Sequence, residues 1–280
     1  MKYSILIITV LLTNNLFSQK VIYSELNNNN WDLYSLSTEN GIIKRITKDS
    51  LKDFQSDYSN VHGNIIFDSY RDNNTRNIFT LNSKTNELNQ LTYLKTRDGH
   101  PVWSPDGSKI AFQSSRTGNP EVFVMDSNGE NVEQLTFNKE FDGIPKWSPN
   151  GKLLAFNSNR NGSPNIFTLN LETKEMIQIT SNESYNFVQD WISQSKIIII
   201  TDVNEKRQLQ ILDIKLGSII KTITTEGDVT YARCNKNGQI VFIQKATSGE
   251  VNVFLTDIKK NNIKQLTYSK NEKRFPVFMD

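Results

Sequence analysis

The pair Leu/Ile-Thr recurs at a fixed interval in this chain, at Ile46-Thr47, Leu91-Thr92, Leu135-Thr136, Ile179-Thr180, Ile223-Thr224 and Leu266-Thr267. The threonines stand 45, 44, 44, 44 and 43 residues apart. A second landmark keeps the same beat: Tyr58, Trp103, Trp147, Trp191, Cys234 and Phe278, with gaps of 45, 44, 44, 43 and 44. Two landmarks in step over six copies define a repeat, and a repeated unit of this length buries its apolar face only by stacking on its neighbours. Each unit resolves into four short strands. In the clearest copy Pro101-Val102-Trp103 is the first, Lys109–Phe112 the second, Val122–Met125 the third and Glu133–Thr136 the fourth. Ser104-Pro105-Asp106-Gly107 between the first two reads as a type I turn followed by a left-handed residue, and Ser148-Pro149-Asn150-Gly151 repeats it. Apolar landmarks of the second and third strands recur about 11 residues apart, as in Tyr23–Tyr34, Phe112–Phe123, Phe156–Phe167 and Ile200–Ile211.

Four strands per unit of about 44 residues is the period of a β-propeller. Composition agrees: there are only four alanines, whereas β-branched and aromatic residues, which suit a pleated half-buried surface, are abundant. The expected fold is all-β, a six-bladed propeller with four antiparallel strands per blade. The first copy begins at its second strand, Val21-Ile22-Tyr23, and the chain ends on Phe275-Pro276-Val277-Phe278, which matches a first strand. The C-terminal strand is therefore expected to join the first blade and close the ring, removing the sheet edges an open array would expose.

Residues 1–19 carry a different pattern. Lys2, the apolar run Ile5–Leu12, polar Thr13–Asn15 and the small Ser18 read as a secretory signal peptide, too short to span a bilayer. No cysteine follows that run, so a bacterial lipid anchor there is excluded, and the propeller is assigned to 20–280. The mature protein is expected to be periplasmic or secreted, monomeric and not membrane-inserted. With 32 Lys+Arg against 30 Asp+Glu, the near-neutral charge provides no long-range field for nucleic acid. Two histidines and the lone Cys234 exclude a Cys/His zinc cage and an internal disulfide.

The stretches 101–136 (PVWSPDGSKIAFQSSRTGNPEVFVMDSNGENVEQLT) and 145–180 (PKWSPNGKLLAFNSNRNGSPNIFTLNLETKEMIQIT) resemble the WD-like repeat of the TolB family of periplasmic six-bladed propellers. The resemblance extends over the mature chain, strongest in the third and fourth blades. It implies a scaffold that acts by docking proteins. Proteins similar to TolB carry an α/β domain ahead of the propeller, and no counterpart is read in this chain. Related repeats form the gating propellers of prolyl-oligopeptidase-like enzymes, whose hydrolase domain is not read here either.

No G-x-S-x-G elbow, P-loop or dinucleotide fingerprint occurs, so no catalytic residue is assigned. Asp106 and Asn150 are turn residues capping their own backbone rather than calcium ligands. No cofactor and no metal site is assigned, calcium in the channel included. The residue before each aromatic landmark belongs to the innermost strand and should face the central channel: Asp57, Val102, Lys146, Asp190, Arg233 and Val277. Two acids and two bases there imply a polar bore. They serve either as mutually neutralising pairs or as a ligand site. His100 is expected at the channel mouth and His62 at the opposite face.

Five residues before the landmark stand Asp53, Asp98 and Asp142 in blades two to four, and four residues after the second-strand landmark stand Arg71, Arg116 and Arg160. The two types occur together in these blades and neither appears in the others. This joint occurrence predicts structural clips Asp53–Arg71, Asp98–Arg116 and Asp142–Arg160, each guanidinium fork holding a carboxylate. Binding determinants are then expected among the unpaired Gln55, His100, Tyr231 and Arg274. The function expected is an exported scaffold binding an envelope protein or glycan. The alternatives are a metal-dependent propeller enzyme of lactonase or lyase type and an accessory subunit of a hydrolase.

Overall fold

The computed structural model describes residues 19–72, 75–181, 185–260 and 262–279. Residues 1–18, and with them nearly all of the expected signal peptide, lie outside the described residues, as does Asp280. The described chain forms six four-stranded antiparallel sheets. Blade three shows the plan: Asp98–Trp103, Lys109–Ser114, Glu121–Asp126 and Glu133–Gln134, running from the axis outward. The last strand, Lys273–Met279, pairs antiparallel with Lys20–Asn27, matching Lys20 to Met279, Val21 to Phe278 and Ile22 to Val277. The expected ring closure is thus formed, and both ends of the described chain share blade one.

The repeated landmarks have physical causes. Five of the six threonines tie the end of the fourth strand to the third: Thr47, Thr92, Thr136, Thr180 and Thr267 Oγ accept from the N–H of Leu33, Ile78, Val122, Ile166 and Val253 at 2.9–3.0 Å. The aromatic landmark links neighbouring blades. Trp147 Nε1 donates to the Val102 carbonyl at 3.2 Å, and Trp191 Nε1 to the Lys146 carbonyl at 3.0 Å. Cys234, the odd member, uses its thiol the same way, donating to the Trp191 carbonyl. Burial pushes that thiol well above its ordinary pKa, so it stays protonated.

Within blades, aromatic pairs stack across the second and third strands: Tyr23–Tyr34, Phe67–Phe79, Phe112–Phe123, Phe156–Phe167 and Phe242–Phe254, with centroids 5.6–6.1 Å apart. Blade five departs from the expected pairing. A two-residue turn at Asn204-Glu205, both at positive φ, joins its second and third strands, so Ile200 faces Leu209 and Ile211 faces Ile198. In the Ser104–Gly107 turn, Gly107 sits at φ +73° and Asp106 accepts from Ser104 Oγ and the Ser108 amide. That carboxylate is occupied by its own turn.

Candidate functional site

All six inner strands carry a bulge two to four residues before the aromatic landmark. The extra residue rotates a side chain toward the channel. At the third residue before the landmark stand Gln55, His100, Ile144, Val188, Tyr231 and Phe275. Four of these hold positive φ: Gln55 at 39°, His100 at 52°, Ile144 at 57° and Phe275 at 51°. For β-branched Ile144 this conformation is uncommon, and such backbone persists only where the surrounding structure holds it. Together these bulges form the rim of the bore on the face that carries the loops between blades, here the loop face. The opposite, turn face carries the Ser-Pro-x-Gly turns.

Two positions further along, the residues expected to face the channel form a belt. Arg233 reaches across the axis to Asp57 of blade two, past the intervening blade one, and its Nε lies 3.7 Å from Asp190. The second Asp57 oxygen accepts from the Trp103 amide at 2.8 Å. Asp190 accepts from the Trp191 and Cys234 amides, both at 2.9 Å. Each of the four carboxylate oxygens therefore already accepts from a protein donor. Burial opposes charge on Arg233, but Asp57 and Asp190 outweigh it and hold its pKa above the ordinary value.

Lys146, the fourth charged member, has no carboxylate within 4 Å among the described residues. It is partly exposed within the bore. Burial, then the Arg233 charge, pull its pKa down to about 7 against the opposing pull of Asp190 and Asp57. The belt is polarised along the axis. Asp57 and Asp190 line a cavity of about 270 Å³ on the turn face, whereas Lys146 lines the cavity of about 400 Å³ on the loop face.

That loop-face cavity brings together Gln55, His100, Lys146, Tyr231 and Arg274, adding Gln189, Arg207, Tyr185, Phe187 and Phe275. No carboxylate among the described residues lines it. Tyr231 and Phe275 pack with ring centroids 4.2 Å apart, and His100 meets Phe275 edge-on at 6.3 Å. Gln55, His100 and Arg274 are not unpaired, which corrects the expectation. Gln55 Oε1 accepts from Arg76 and from the His100 amide, so its Nε2 faces His100 Nε2 at 2.8 Å as a donor. His100 is therefore the neutral Nδ1–H tautomer, consistent with burial and the Arg76 and Lys146 charges holding its pKa well below the ordinary value. Arg274 pairs with Glu272 at 2.7 Å and lies over the Trp31 ring. His62 packs on Trp103 and meets the Gly107 carbonyl at 2.9 Å, on the turn face.

Beside the cavity stand the Asp–Arg pairs. Arg71 Nη2 lies 2.6 Å from Asp53, Arg116 Nη2 3.1 Å from Asp98, and Arg160 Nη2 2.7 Å from Asp142. The aspartates are fully buried first residues of the inner strands rather than loop residues. Each guanidinium also lies over its blade's Phe pair, 4.9 and 5.1 Å for Arg116, and in blades three and four Nε donates to Ser114 or Ser158 Oγ. Blade one replaces the aspartate with fully buried Lys273, opposite Glu25, its ammonium donating to the Ser269 and Asn271 carbonyls.

A family model described as the TolB beta propeller domain matches residues 70–152 and 139–278. The chain belongs to that family. TolB of Acinetobacter baumannii has a similar fold, with a TM-score of 0.83 at 20% identity over 94% of this chain and 67% of that one. A putative TolB from Agrobacterium tumefaciens is similar at a TM-score of 0.73 and 15% identity over 89% of both chains. A chain of a nidogen/laminin complex matches at 0.74 and 9% identity over 93% of this chain and 98% of that one. Enzyme propellers share the fold too, oligogalacturonate lyase in complex with manganese among them, at 0.62 and 12% identity over 88% and 73%. No curated protein sequence matches.

In this TolB-like propeller the sequence reading missed Arg76 and Asp68, the buried pair that orients Gln55 and His100. Arg76 Nε and Nη2 each lie 2.8 Å from an Asp68 oxygen, and the His100 amide donates to the same carboxylate at 3.2 Å. Gly99 is the available signal: a Cβ there would stand 2.7 Å from the Arg76 guanidinium carbon. Ile144, Phe275 and Gln189 were missed because apolar or amide residues in an inner strand look like ordinary packing.

Proposed function

We propose that this TolB-like propeller is an exported, non-enzymatic scaffold of the cell envelope that engages its partner, a protein or a glycan, with the loop face. The observation that supports this most is the contrast along the bore. Below, the belt acids are consumed by the protein's own donors. Above, an open cavity presents aromatic, amide and cationic groups with no carboxylate among the described residues. Such a lining suits recognition, and the belt offers no free carboxylate set for a catalytic ion. Three exposed aromatics add contact area on the same face. Tyr93, Phe137 and Tyr268 each follow the threonine landmark and are 69–77% exposed. Aromatic side chains of this kind dominate binding surfaces.

Export follows from the apolar start, with cleavage near Ser18–Gln19. Intact-mass analysis of protein from the native host is expected to show loss of about two kilodaltons and recovery outside the cytoplasm. Full-length cytoplasmic protein overturns export. Capture from envelope extract should yield a partner that Tyr231→Ala no longer retains. Retention by that variant moves the contact away from the mouth. Melting in EDTA is expected to be unchanged, because no cluster of three or more His, Cys, Asp or Glu side chains that could hold a metal occurs among the described residues.

A further inference from the structure

The loop-face cavity has a chemistry more specific than "binding surface". Its three cations are unequal. Arg274 is neutralised by Glu272, and Arg207 has Asp202 at 3.9 Å, but Lys146 has no acid within 4 Å among the described residues. One negative group near Lys146 therefore completes the site. Next to it the Tyr231–Phe275 pair offers a flat apolar wall. Around that wall stand groups suited to hydroxyls. His100 presents its Nδ1–H, with no protein acceptor among the described residues, and Thr230 lines the same cavity, whereas the Gln189 amide is held by the Ala232 N–H and the Phe187 carbonyl. A volume of about 400 Å³ admits a ligand of one or two rings.

We propose that the mouth of the bore binds a uronic-acid sugar unit, its carboxylate on Lys146, the C–H face of its ring on Tyr231 and Phe275, and its hydroxyls on His100 and Thr230. An aliphatic acid leaves the polar groups unmet, and a neutral sugar leaves Lys146 unmet. Buried polar groups without partners are what such a site discriminates by. This deepens the reading of the propeller as a scaffold and rests on it.

Calorimetry with galacturonate, galactose and benzoate tests the proposal on the purified protein. Galacturonate is expected to bind at least about tenfold more tightly than either of the others, the scale of one hydrogen bond to a charged group. Lys146→Met and Phe275→Leu should each weaken galacturonate about tenfold or more, while Lys139→Ala, away from the cavity, leaves it unchanged. Should Lys146→Met fail to fold, Tyr231→Leu carries the same expectation. Equal binding of galactose, benzoate binding as tight as galacturonate, or wild-type affinity in a folded Lys146→Met overturns the assignment. Capture of an envelope partner without uronate binding overturns the ligand class alone. Uronate binding by a protein that stays in the cytoplasm overturns the exported scaffold alone.

Discussion

A lysine in a bore responds to pH in a direction fixed by its surroundings. Lys146 is faced by Arg233, Asp190 and Asp57 from the belt and by His100 from the rim. Arg233 stays charged and His100 neutral around neutral pH, so Lys146 is the group that changes. Its folded pKa of about 7 lies below the ordinary 10.5. Between these values the unfolded chain holds more protons than the folded one, so this group makes stability rise with pH from about 7 upward. Below 7 the cost of the charged lysine is fully present. Lys146→Met is therefore expected to melt above the parent at pH 6, with the difference shrinking by pH 9. A difference that grows with pH would mean that Lys146 is stabilised by its charge. The sequence placed this residue in the bore from one landmark, but its isolation depends on which way each neighbour's oxygens point, and no spacing encodes that.

At the scale of the element, the Asp–Arg pairs join two strands and a loop within one blade. Asp98 is fully buried, one oxygen held by Arg116 and the other, Oδ1, without a partner. Burial of such a carboxylate costs several kcal/mol that its arginine must offset. Asp53 shows the strain: burial raises its pKa to about 6 against the pull of Arg71, Ser69 and Thr47. Arg116→Met is expected to cost about 3–5 kcal/mol, because it strands a buried charge and strips the cover from Phe112 and Phe123. Arg116→Met with Asp98→Asn should recover part of that loss, and urea unfolding measures both. A double variant no better than the single one would assign the effect to lost packing over the Phe pair. These pairs were legible because blades two to four repeat them at fixed positions. The Arg76–Asp68 pair was not, because it occurs once and has no copy for comparison.

For the whole molecule, the repeat carried nearly everything: six blades, four strands each and the shared first blade follow from two landmarks in step. What it could not carry was function, since residues that differ between blades are the ones that line the mouth. Closure itself gives the decisive test of the ring. Lys273–Met279 is the innermost strand of blade one, so deleting 273–280 removes the ladder to Lys20–Asn27 and bares two strand edges. Phe278, packed with Val21, Tyr23 and Tyr34, leaves the junction of blades one and six, a loss of about 3–5 kcal/mol by core-aromatic precedent. The Lys273 ammonium no longer ties Ser269 and Asn271 beside Glu25. Both effects fall on the only blade assembled from the two ends of the described chain. The truncated protein is therefore expected to aggregate, or to melt far below the parent with early exposure of apolar surface to a reporter dye. Melting like the parent would mean that the other five blades hold the ring without its clasp.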